Sequence, residues 1–275
     1  MRTMNKPLVR EKRSKLGYRA LDSELREIRI LSIRSNSSLG IECSLEHASL
    51  LTCPPYKALS YTWGDPADTT DILLNGCSFP VTRNFATALQ HIRSFTETVS
   101  FWIDAILCDS HDTQERSEQV QYMKAIYEHA QEVIIWLGPD RNDGVFAIEA
   151  MNMVSDSQII LGSKSGNPPG FVPPTISDRF FKTRVWVIQE ATFPNETYFM
   201  CGRYKTEFTR VTITVIQILY SRILQALRPG SETPDLVRFQ KVISLYSIRQ
   251  GRINQDGDLD LLHFSTNHEY AKHPT

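Results

Sequence analysis

Three stretches of this sequence set a chemically capable side chain into apolar surroundings. In RVWVIQE (184–190), four apolar residues run directly into Gln189 and Glu190. In VSFWIDAIL (99–107) the apolar run is broken only by Asp104. KALSYTWG (57–64) closes with Tyr61 and Trp63 beside Gly64-Asp65-Pro66. An unpaired carboxylate is costly to bury, so each of these acids needs a partner or a task. Glu190 reads as a helix-surface residue, a buried anchor or a catalytic carboxylate. Asp104 is held by backbone N–H groups or by Arg116 at the next helix, or it faces a ligand. Ligands bind at the C-terminal ends of strands in open α/β sheets. Tyr61 and Trp63 read as packing at the strand end or as a stacking platform for a planar ligand.

Other chemistries leave no signature. The sequence has no G-x-x-x-x-G-K-[ST], G-x-G-x-x-G, G-x-S-x-G or H-E-x-x-H. Its seven histidines are scattered, and the adjacent His111 and Asp112 read as loop residues. The five cysteines (Cys43, Cys53, Cys77, Cys108, Cys201) are odd in number and contain no C-x-x-C. That pattern argues against a disulfide framework and a structural zinc, and for a reducing, cytoplasmic setting. A net charge of −1 gives no electrostatic case for nucleic acid. Residues 1–16 hold six Lys or Arg against one Glu and read as a basic, flexible tail. VTITVIQILYSRILQAL (211–227) is interrupted by Arg222 and reads as a buried helix, not a membrane span.

The elements that must position these residues follow from pattern. REIRILSI (26–33) and IECSLE (41–46) read as strands. DILLNGCSFPV (71–81) carries Asn75-Gly76, a strong hairpin signal. Asn84 reads as the N-cap of FATALQHIRSF. The continuous apolar run 99–107 suits a strand covered on both faces. Asp112 and Glu115 form a capping-box-like start, after which Val120, Met123, Ile126, Tyr127 and Ala130 recur at helical spacing. VIIWLG (133–138) then completes a βαβ unit with a right-handed crossover. A second helical pattern spans 143–155, a Gly/Pro-rich loop 162–175, a helix 184–193 and a strand 197–202. Helices near 209–227 and 234–249 end the chain. The fold class is α/β, with an N-terminal β-rich entrance and a helical C-terminal portion.

YKALSYTWGD (56–65), FWIDAI (101–106), DTQERSEQVQYMKAIYEHAQEVIIWLG (112–138) and RVWVIQEA with a later CG (184–191, 201–202) resemble, in order and spacing, the heterokaryon incompatibility (HET) domain of filamentous fungi. The resemblance covers residues 17–205, leaving 206–275 as a helical extension of the same domain. It implies a part in non-self recognition ending in programmed cell death, through protein partners or self-association. After WIDAI the family usually continues C-I-N-Q, whereas Leu107-Cys108-Asp109-Ser110 stands here. A later family block has only a faint counterpart at QDGDLDLLHF (255–264). By that resemblance, a truncated or degenerate member is one expectation these departures raise.

The HET domain is in turn remotely similar to Toll/interleukin-receptor (TIR) domains, which implies a flavodoxin-like parallel sheet flanked by helices. TIR domains that cleave NAD carry a Glu shortly after a Trp. Trp186 and Glu190 match that relation, four residues apart on one helix face. By that resemblance NAD becomes a candidate substrate. Glu190 would be the catalytic carboxylate, stabilising an oxocarbenium-like ribose as in glycosidases. Tyr61, Trp63, Gly64 and Asp104 would form the nucleotide-binding edge, and no metal is called for.

Overall fold

The computed structural model describes residues 19–35, 40–104, 113–140, 192–194 and 196–212, with isolated positions at 148, 149, 152, 244, 247–249 and 251. Nine strands form one mixed sheet: β1 (Glu27–Ile33), β2 (Glu42–Ser49), β3 (Lys57–Tyr61), β4 (Thr69–Leu74), β5 (Cys77–Thr82), β6 (Val99–Trp102), β7 (Val133–Gly138), β8 (Thr197–Cys201) and β9 (Tyr204–Glu207). Their order is β5-β4-β2-β1-β6-β3-β7-β8-β9. Among the described residues, helices α1 (Arg83–Ile92) and α2 (Thr113–His129) lie between strands.

The sheet is mixed, where a flavodoxin-like parallel sheet with an N-terminal β-rich entrance was expected. Strands β6, β3, β7 and β8 are parallel neighbours, whereas β1 runs antiparallel to both β2 and β6. The reason lies in the connections. Short turns join β4 to β5 and β8 to β9, and such turns permit only antiparallel pairing. The β4–β5 turn is the expected Asn75-Gly76, both with positive φ (50° and 75°), as a two-residue type I′ hairpin requires. The β-rich entrance is therefore present, fused to the parallel core rather than set apart from it. Of the 143–155 helix only Ile148, Glu149 and Asn152 are described. The 162–175 loop, the 184–190 stretch and most of the C-terminal helical portion lie outside the described residues.

The two helices take opposite faces of the parallel core. Tyr61 and Trp136 stand opposite one another in the β3–β7 register. Both meet α1, Tyr61 through Phe85 at 5.1 Å and Trp136 through His91 at 5.0 Å. On the alternating face, Trp102 packs edge-on against Tyr127 of α2 at 5.5 Å, and Tyr56 Oη donates to the Ile126 carbonyl at 2.6 Å. Helix α1 also touches β4 and β5. On a flat sheet β4 and β7 would lie on the order of 24 Å apart, yet the ten residues of α1 span only about 15 Å. The sheet must curl around α1, which buries Phe85, Ala86, Ala88, Leu89 and Ile92 in the hollow.

Helix α2 starts where Asp112–Glu115 placed it, but Glu115 has a different task. Arg29 of β1 is 1% exposed and grips both Glu115 oxygens, at 2.6 and 2.8 Å. One turn on, Gln119 Nε2 donates to the Glu27 carbonyl at 3.0 Å. The buried face of α2 is thus Glu115, Gln119, Met123, Ile126 and Tyr127, while Val120, expected on that face, is exposed. Around this pair, Arg29 Nη2 also donates to the Arg19 carbonyl, and Arg19 pairs with Glu27 through two 2.6 Å bonds. No helix among the described residues is long and apolar enough to cross a membrane.

Replacing Glu115 by Ala takes the bidentate carboxylate away from a buried guanidinium and should cost about 3–5 kcal/mol in urea unfolding. The double variant Arg29→Met, Glu115→Leu removes both charges and should recover most of that loss. A second outcome concerns pH. The hydrogen bonds from Arg19 hold the Glu27 carboxyl down at about 2. A depressed carboxylate stabilises the fold above its unfolded value and loses that contribution as pH falls through the folded one. Stability should therefore decline from the ordinary carboxylate range down towards about 2. Glu27→Gln should flatten that part of the profile.

Candidate functional site

The parallel strands all end on one edge of the sheet. That edge gathers Tyr61 to Gly64 after β3, Asp104 after β6, Leu137 and Gly138 at the end of β7, and the Gly202 turn after β8. The sequence placed Asp104 inside a long strand. The strand instead stops at Trp102, and Asp104 already has helical geometry, half-buried, two residues past the end. A half-buried carboxylate just beyond a strand end escapes the full cost of the interior position that the apolar run suggested.

The aromatic pair divides. Tyr61 is buried against Phe85, whereas Trp63 is 45% exposed. Gly64 has φ +80°, and a Cβ there would come to 3.3 Å from the Asn84 Cβ. Glycine suits that position for both reasons. Asn84 is not the N-cap of α1. Thr82 fills that role, its hydroxyl accepting from the Phe85 N–H. Asn84 sits in the first turn and ties two strands together. Its Nδ2 donates to the Thr62 carbonyl at 2.6 Å, and its Oδ1 accepts from Trp136 Nε1 at 3.3 Å. His91, two turns further along α1, packs its ring at a tilt on the same Trp136, and its Nδ1 donates to the Thr87 carbonyl at 2.8 Å.

The far end of the edge is set by backbone. The Gly202 N–H donates to the Gly138 carbonyl at 2.9 Å. Gly202 has φ +56°, and a Cβ there would lie 2.6 Å from that of Asp140. No other residue fits without displacing the β7 end. The CG of the sequence pattern is thus a close-approach requirement.

Of the five residues singled out from sequence, Tyr61, Trp63, Gly64 and Asp104 lie on this one edge, and Glu190 lies outside the described residues. Asn84, His91 and Trp136 join them unanticipated. A helix start that faces a strand-ending Gly-Asp-Pro was the signal available for Asn84. Burial pushes the Cys43 thiol up to about 12, so it stays protonated and is no nucleophile. Among the described residues no group of three or more His, Cys, Asp or Glu is placed to hold a metal.

The fold is that of an α/β protein with a four-strand parallel core inside a mixed sheet. Residues 56–190 match the heterokaryon incompatibility protein (HET) family, which supports a HET-domain protein. It is similar to heterokaryon incompatibility protein 6, OR allele, of Neurospora crassa, at 26% identity over 275 aligned positions. That alignment takes in 82% of this chain but 40% of the relative, so the chain spans less than half of that protein's length. No solved structure matches the chain.

If Asn84 holds β3 to β7, Asn84→Ala should lower unfolding stability by about 1 kcal/mol. Asn84→Asp should cost more, because it sets a carboxylate oxygen against the Thr62 carbonyl. Urea titration of the two variants ranks them, and a milder Asp variant would count against the tether.

Proposed function

We propose that the chain acts as a signalling and interaction module of fungal heterokaryon incompatibility, whose activation leads to programmed cell death. The family match over residues 56–190 carries this reading. It gains support from what the signature residues do. Glu115, Gln119, Trp102, Tyr127 and Gly202 are engaged in docking α2 and in closing the sheet edge. A family pattern whose residues build a rigid frame suits a module that works through protein partners or self-association. The relative from Neurospora crassa, named for heterokaryon incompatibility, points the same way.

One observation favours an enzymatic alternative. Numbered along the chain, the parallel strands β3, β6, β7 and β8 stand in the order 2-1-3-4. That is the order of flavodoxin-like sheets, whose ligands bind where the order reverses. The reversal here lies between β3 and β7, beside Trp63, Gly64 and Asn84. This supports a TIR-like relationship and an NAD-cleaving reaction. Glu190 would stabilise the ribosyl cation, Trp63 would stack on a ring, and Asp104 would shape the pocket.

The two readings separate on expression of wild type and Glu190→Gln in a fungal host, scoring NAD and viability together. The interaction module predicts equal killing by both with NAD intact. Loss of NAD with wild type, and survival with intact NAD for the variant, would replace it with the enzyme.

A further inference from the structure

Arg93 caps the C-terminal end of α1, and Arg203 follows Gly202 in the β8–β9 turn. Although they come from different elements, both guanidiniums lie over one ring, that of Phe95, at 5.3 and 5.4 Å from its centroid. Phe95 is itself 55% exposed. Neither arginine forms an ion pair among the described residues. Glu97, two residues beyond Phe95, and Asp140, beside Gly202, are not bonded to them. Arg93 is half-buried, and its Nε is shielded from solvent with no hydrogen-bond partner.

A helix C-terminus attracts a cation, which explains one arginine after α1. It does not explain a second, brought by another element to the same ring. Two cations sharing an exposed aromatic without a counter-charge repel each other, and stacking on the ring offsets only part of that. An anion between them would remove the conflict. Guanidinium forks match phosphate oxygens bidentately, and Arg93 is already restrained, so little freedom is lost on binding. The position also fits: Arg203 stands directly past the C-terminal end of β8, on the edge where open α/β sheets take ligands.

We propose that Arg93, Phe95 and Arg203 form a binding subsite for the phosphate of a small phosphate-bearing ligand. The subsite stands independently of any NAD cleavage and of Glu190. Pyrophosphate and ADP serve as probes with the purified full chain, read by calorimetry and by the Arg Nε–H NMR signals. Both should bind, and the perturbed signals should be those of Arg93 and Arg203. Arg93→Gln and Arg203→Gln should each weaken binding roughly tenfold, while Arg34→Gln, whose side chain pairs with Glu42, should leave it unchanged. The unsubstituted protein's NMR signals decide the matter even if a variant folds poorly. The subsite is overturned if neither probe binds or if the perturbed arginines lie elsewhere. It is equally overturned if only anionic vesicles, or only poly-glutamate, bind.

Discussion

The assembly of this domain turns on the buried pair between Arg29 and Glu115. Arg29 sits in β1 with its side chain removed from water, where a charge without a partner is costly. It has to find a carboxylate, and the one it finds is 86 positions later in the chain. Such a pair contributes little net stability over apolar residues of equal volume, since desolvation consumes most of the attraction. Its effect is on where things go. Sliding α2 along β1 by a single turn would strand both charges, so the register of helix on strand is fixed. Gln119, bonded to the Glu27 backbone one turn later, repeats the constraint without charge.

The location of that pair matters as much as its strength. Strand β1 is antiparallel to β6, with Leu31 opposite Phe101, so residues 27–29 extend past the last residue of β6. Arg29 therefore lies at the same sheet edge as Asp104. Helix α2 begins at that edge, and its first turn is clamped there by Glu115. Whatever path residues 105–112 take, they join a half-buried acid to a helix start that cannot move.

Elements with one dominant local signal were legible from sequence. The all-buried β1, the Asn75-Gly76 hairpin and the β6–α2–β7 unit each rest on a single strong pattern. What escaped depends on contacts between distant segments. The buried stripe of α2 opens with Glu115 and Gln119, so an apolar-only reading skips them and substitutes Val120. Asn84 looks like a cap because Asn favours caps, but Thr82 occupies that position and frees Asn84 to bridge strands. The short β9, YKTE, has no apolar alternation strong enough to announce it and forms because β8 offers an open edge. The mixed sheet followed from turn lengths that were visible, yet the curl around α1 is a property of the whole sheet. At the site, the edge residues were found because strand ends are marked by Gly and Pro, while His91 and Trp136 meet only after folding.

Helix α1 gives the edge its polarity. Its first turn is tied to the end of β3 by Asn84, and its last leads to Arg93 and the Phe95 ring shared with Arg203. One helix thus links the point where the strand order reverses to a pair of arginines that form no ion pair among the described residues. Trp63 and Gly64 stand at the first end, with an exposed indole and an open backbone. The second end carries two positive charges and an exposed ring. The two ends of α1 therefore differ, an indole and a glycine at the first and two guanidiniums over a ring at the second. That division arises from the two ends of a single ten-residue helix.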